Sequence, residues 1–261
     1  MREGILSEPP MRPGVKPIQL CSYTYEANDT EATADIAYAL AVAELRKGGV
    51  YEHIDWKNAP SNFPDTLSSA EKTTSQNGAF IITGVGSHNI EMPYLLNCIG
   101  CVISASTETG ENISFTFHVN PYTLIDQTHH DIFMRALQVR LGALIKYATP
   151  KTIDCVFFGG NIFNKPGVRT TPDAKPQNVA TQKDDYIESI SIIGNHLTRK
   201  LGFKPSVIQG PKTDPSQTDA FYQNNTRRLF LHKRLPKQDQ ELLLPLPYDT
   251  LVQKVRTYPV A

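Results

Sequence analysis

Residues 97–121 read N-C-I-G-C-V-I-S-A-S-T-E-T-G-E-N-I-S-F-T-F-H-V-N-P, and this stretch decides the fold. A tight turn around Gly100 leads into an apolar run at 101–105. A polar turn follows at 107–112. An alternating run at 113–119 then returns, with Ile113, Phe115 and Phe117 on one face. The pattern predicts an antiparallel strand-turn-strand unit. Cys101 opens one arm and His118 ends the other, so the spacing predicts that a thiol and an imidazole meet across the pair. Sulfur and ring nitrogen are then expected within roughly 4 Å. A thiol is a nucleophile only as thiolate, and a neighbouring histidine is the usual base that makes it one. The plain alternative is a structural role for both residues, since cysteine is among the most buried residue types.

Around this hairpin the chain has 261 residues, enough for one large domain or two small ones with a substantial core. Lys+Arg and Asp+Glu both number 26, so the basic excess of a nucleic-acid binder is missing. No apolar run approaches the ~20 residues that span a bilayer. A basic region followed by an apolar run is not seen at the start of the chain, so reduced thiols are expected. The cysteines are Cys21, Cys98, Cys101 and Cys155. Cys21 and Cys155 read as core thiols.

On the N-terminal side, 1–14 is Pro-rich and reads as a loose arm. An extended run is expected at 16–25, a helix at 31–47 stopped by Gly48 and Gly49, a strand at 50–56, a polar connection at 58–78 and a short strand at 79–83. On the C-terminal side, Asp126 or Thr128 caps a helix over 129–147 with Phe133, Leu137, Leu141, Leu144 and Ile145 on one face. The run 153–158, ending in Gly159 and Gly160, reads as a buried strand. Residues 164–183 read as a polar surface loop, free to touch a partner. Asp184 or Asp185 caps a helix carrying Ile187, Ile190, Ile193 and Leu197. A strand at 205–209, a loop at 211–218 and a last strand at 227–234 follow, with Arg227, Arg228, Lys233 and Arg234 as a solvated face. Pro236, Pro245, Pro247 and Pro259 predict an irregular tail. Hairpins mixed with single helices indicate an α+β layered fold.

Cys98-Ile99-Gly100-Cys101 is also a C-x-x-C, which admits two rivals. A redox dithiol of the thioredoxin type should open a helix after a strand, and Tyr94-Leu95-Leu96 fits that poorly. A zinc site using Cys98, Cys101, Cys155 and one histidine lacks a second paired ligand motif. His129 and His130, at a helix start, read as caps or surface residues rather than metal ligands. Asn161 beside the Gly-Gly pair reads as a turn residue.

Ile99-Gly100-Cys101, then Phe117-His118-Val119-Asn120-Pro121, with a separation of 118 − 101 = 17, resemble the CheD-like glutamine deamidase superfamily. That group includes the chemotaxis deamidase CheD and toxins of the cytotoxic necrotizing factor and Burkholderia lethal factor types. Val156-Phe157-Phe158-Gly159-Gly160-Asn161-Ile162-Phe163, Ile193-Gly194-Asn195, Leu201-Gly202-Phe203 and Thr226-Arg227-Arg228 follow in the family's order. The likeness spans roughly 80–232.

The resemblance implies a CheD-like α+β fold, a mixed β-sandwich core flanked by helices. The expected organisation is a single domain over 1–261: an N-terminal extension at 1–80, the core at 80–232 and a Pro-rich tail at 236–261. It implies a protein-glutamine deamidase that turns a target glutamine into glutamate through a thioester, with Cys101 as nucleophile, His118 as base and backbone N–H groups around Gly100 and Cys101 holding the oxyanion. Transglutamination, thiol proteolysis and a non-catalytic binding module are the alternatives on the same hairpin. No cofactor and no metal are implied. The partner is a protein carrying the target glutamine. A bacterial effector or toxin made in the bacterial cytoplasm and translocated into a host cell fits this activity. The family's threonine six residues before the cysteine is Leu95 here, which leaves a backbone carbonyl, Asn97 or Thr83 to orient the imidazole.

Overall fold

The computed structural model describes residues 15, 17–23, 80–85, 89–163, 182–213, 218–233 and 246–258. The elements expected at 31–47, 50–56 and 58–78, and the loop at 164–181, lie outside the described residues. The described elements are β1 (Gln19–Tyr23), β2 (Phe80–Val85), β3 (Asn89–Leu95), β4 (Ile99–Ser106) and β5 (Asn112–Val119), then helices α1 (Pro121–Ile125) and α2 (Gln127–Tyr147). They continue with β6 (Asp154–Gly159), α3 (Gln182–Leu201), β7 (Ser206–Val207), β8 (Thr218–Gln223), β9 (Arg228–Lys233), β10 (Leu246–Pro247) and α4 (Tyr248–Thr257).

The strands build two mixed sheets, one in the order β10-β7-β6-β4-β5-β2 and one in the order β1-β9-β8-β3. The class is therefore mixed α+β. The predicted hairpin is β4 and β5, paired from Ile99↔Val119 to Ser106↔Asn112 without a break in register. β6 pairs along the other edge of β4, so β4 is central in the six-stranded sheet.

Alternation then sorts the side chains into two cores. Ile99, Cys101, Ile103, Ala105, Ile113, Phe115, Phe117, Val119, Cys155 and Phe157 face the helices. Phe117 meets Phe133 of α2 edge-on, ring centroids 5.5 Å apart. Val102, Val156 and Phe158 face the four-stranded sheet and pack with Ile90, Met92, Ala220, Tyr222, Leu229 and Leu231. The helices thus lie on one side of the six-stranded sheet and the second sheet on the other.

Each helix has a local cause. The Asp126 carboxylate accepts from the N–H groups of Thr128 and His129 and starts α2. Phe133, Leu137, Arg140, Leu141 and Leu144 form its buried stripe. In α3, Asp184 and Asp185 stand in the first turn and Arg199 and Lys200 in the last, complementing the helix dipole. α3 starts at Gln182, ahead of the expected carboxylate cap.

Several expectations need correction. The sequence reading assigns no element to 89–95 or 219–223, and the structure has strands β3 and β8 there. The tail is not irregular throughout, because Tyr248, Leu251, Val252 and Val255 make one buried face of α4. Arg227 is not on a solvated face. It is fully buried with φ 56° and donates to the carbonyls of Ser104 and Thr152, both at 3.0 Å. Among the described residues, no helix is long and apolar enough to cross a membrane.

Candidate functional site

The register of the hairpin fixes where its two chemical residues point. Cys101 stands opposite Phe117, and Gly100 stands opposite His118. Directly paired residues share a face, and successive residues alternate. Cys101 therefore projects with Phe117 into the helix-facing core, and His118 projects with Gly100 to the face that carries Phe158. The expected meeting of Cys101 and His118 does not occur, because the sheet itself stands between them. The reason is parity. The five residues between Ser106 and Asn112 pair residues an even number apart, so Cys101 and His118, 17 apart, fall on opposite faces.

Cys101 has the surroundings of a structural thiol. It is fully buried, and its Sγ lies 3.9 Å from Cys155 Sγ. Burial, then the contact with Cys155, pushes the thiol well above its ordinary pKa. Gly100 and Cys101 lie inside a strand flanked by two partners, so the ladder uses their N–H groups and leaves no oxyanion donors there. Gly100 has another reason to be glycine: a Cβ there would run into the Phe158 ring.

The other cysteine of the C-x-x-C faces the other way. Cys98 immediately precedes β4, is half-buried, and packs against the core between the sheets. It stands just outside the ladder, which begins at Ile99↔Val119, and its packing with the cluster of Val102 and Phe158 puts it on the side of the sheet that Gly100 and His118 face. Cys98 cannot join Cys101 in a dithiol or Cys101 and Cys155 around zinc, because they point to opposite faces. Among the described residues no group of three or more His, Cys, Asp or Glu could hold a metal.

Three segments cross at Cys98. Its carbonyl accepts from the Gly160 N–H at 2.9 Å. Gly159 and Gly160 turn the chain there with φ 79° and 86°, a conformation that favours glycine. A Cβ on Gly160 would also meet the Tyr186 ring. The strand's continuation is joined to 209–213: Lys212 N–H donates to Gly160 O at 3.1 Å, and Ile162 N–H to Lys212 O at 2.8 Å. Lys212 is fully buried, and its ammonium donates to Leu95 O at 3.2 Å. Burial pushes the Cys98 thiol up to about 11, and the Lys212 charge opposes that rise.

The remaining candidates sort as follows. Asn97 is half-buried in the bend before Cys98, next to Leu96, which is 52 % exposed. Thr83 pairs through its backbone with Phe115, while the residue opposite His118 on β2 is Phe80. Asn161 has the expected turn role, accepting from Phe163 N–H at 2.5 Å. His129 lies 3.4 Å from the capping carboxylate of Asp126, and His130 lies 3.1 Å from Asp131. Sequence reasoning missed Lys212, which sits in a stretch read as loop. The signal for Cys98 is its spacing of three residues from Cys101, which puts the two on opposite faces of an extended chain.

No family model matches this chain, and neither a curated protein nor a solved structure matches it.

Proposed function

We propose that the protein is a cysteine-dependent amidohydrolase that converts a glutamine of another protein to glutamate, with Cys98 rather than Cys101 as the nucleophile and His118 as the base. The observation that carries this reading is the shared face of Cys98 and His118 at the end of β4, beside the exposed Leu96. The resemblance to glutamine deamidases assigns the nucleophile to Cys101, so what it lends to this reading is the order of elements, the Gly-Gly turn and Thr226-Arg227-Arg228, and not the Cys98–His118 pair.

In the proposed reaction His118 takes the thiol proton as Cys98 sulfur bonds to the carboxamide carbon of the glutamine. The tetrahedral intermediate collapses, the C–N bond breaks, and ammonia leaves with the proton returned by His118. Water, deprotonated by the same imidazole, then attacks the thioester. Glutamate departs and the thiol is restored. The net change is one water consumed and one ammonia released. A bacterial effector or toxin acting on a host protein remains the setting that this activity suits.

The test compares Cys98→Ala, Cys101→Ala and His118→Ala proteins on a eukaryotic cell lysate, with mass spectrometry scanning for amide-to-acid conversion. Conversion by wild type and Cys101→Ala but not by the other two is expected. Conversion that survives Cys98→Ala and is lost in Cys101→Ala would return the nucleophile to the helix face. No conversion by the wild type would favour a binding module that uses the hairpin structurally.

A further inference from the structure

We propose that Lys212 is a positioning residue of the Cys98 site, its buried ammonium tying down the bend before that cysteine and easing formation of its thiolate; this rests on the reading of Cys98 as the reactive thiol. Two independent features of its placement carry it. First, its backbone is tied on both sides to the segment that grips Cys98: Lys212 N–H donates to Gly160 O, Ile162 N–H donates to Lys212 O, and Gly160 N–H donates to Cys98 O. Second, its side chain turns inward, where the ammonium reaches Leu95 O at 3.2 Å, three residues before Cys98. The ammonium is thus held at the crossing by one segment and aimed at the bend that leads into the thiol.

Lys212 is fully buried, so its charge acts on its neighbours with little screening by water. The bond to the Leu95 carbonyl accounts for one of its three N–H donors as a staple between segments. The charge itself has a further effect, because it opposes the burial that disfavours a thiolate at Cys98. Lys212 is the charge that acts on Cys98 here, and His118 lies on the same side of the sheet by register. Asp154 and Arg227 lie at the other end of β4, beside Ser104.

The test reads alkylation of Cys98 by iodoacetamide against pH in the intact protein, followed by peptide mass spectrometry. Lys212→Gln keeps an N–H donor for Leu95 O and removes the charge. Lys212→Arg keeps the charge. Lys212→Met removes both. Folding is checked for each by cooperative thermal unfolding. In Lys212→Gln we expect alkylation at neutral pH to slow about tenfold and the profile to move up by about one pH unit, with Lys212→Arg restoring most of the rate. A folded Lys212→Gln protein with the wild-type profile would reduce Lys212 to a staple and overturn the proposal. Because the readout is the thiol and not a substrate, the two ideas fail separately. A shifted profile without any glutamine conversion removes the deamidase alone. Conversion with an unshifted profile removes Lys212 alone.

Discussion

The two faces of β4 present different solvents to cysteines only three residues apart. The face toward the helices carries Ile99, Cys101, Ile103 and Ala105, all fully buried among aromatic and aliphatic neighbours. The face toward the second sheet carries Gly100, Val102 and Ser104, with polar and charged groups at both ends. Cys98 and Lys212 lie at one end, and Ser104 and Arg227 at the other. On one face a thiol is a small apolar filler. On the other it has a cation and an imidazole on its side of the sheet. Nearness along the chain does not give the two thiols the same surroundings; the face decides them.

The largest expected effect tests whether the helix face is sealed. Phe117→Ala removes a buried ring that packs on Phe133, and urea denaturation should show a loss of about 3–5 kcal/mol. A loss below about 1 kcal/mol would mean that this face is loosely packed and Cys101 less secluded than described.

Next comes the contrast between the thiols. Below its raised pKa of about 11, Cys98 is mostly protonated, so its alkylation rate should climb about tenfold per pH unit through pH 7–9. Cys101 reacts only when the core opens, which should leave it at least ~100-fold slower than Cys98. Peptide mapping after brief iodoacetamide treatment measures both, and faster labelling of Cys101 would invert the comparison.

A smaller effect is expected at the crossing. Gly160→Ala forces a Cβ into a left-handed turn against the Tyr186 ring, and should cost about 1–3 kcal/mol in thermal or chemical unfolding. It should also change Cys98 alkylation, because Gly160 holds the Cys98 carbonyl. Unchanged stability would show that the turn relaxes freely.

The smallest effect belongs to Cys101→Ala. Removing one buried sulfur beside Cys155 should cost about 1 kcal/mol and leave the pH profile of Cys98 alkylation where it was. A shift in that profile would show that the faces communicate through β4.

Much of this arrangement is legible in the sequence. The alternation at 113–119 gives β5, the Asp126 cap gives α2, and the apolar run before Gly159 gives β6. Strand β3 is hidden because Pro93 and a register shift interrupt the short alternation Ile90-Glu91-Met92 before Leu95. The sheet tolerates Pro93 because β3 is an edge strand, with an irregular register between Met92 and Leu95. Helix α4 is hidden by its flanking prolines, although Tyr248, Leu251, Val252 and Val255 follow helical spacing. The burial of Arg227 and Lys212 is invisible locally, since both depend on carbonyls more than a hundred residues away. Of the candidate site the hairpin is legible, whereas the faces of Cys101 and His118 are not, because they depend on how many residues the turn at 107–111 leaves unpaired.

β1 runs parallel to β9, with Gln19 beside Arg228 and Tyr23 beside His232. During synthesis, therefore, β1 emerges long before the strand it pairs with exists. Its backbone must stay hydrated, or be shielded by other contacts, until β9 has left the ribosome. Among the described residues β9 is the strand that pairs β1, so a nascent chain arrested before β9 lacks that partner and leaves this edge open to association with a second chain. Completion of the four-stranded sheet is thus a late event in the life of each molecule, set by translation rather than by local propensity.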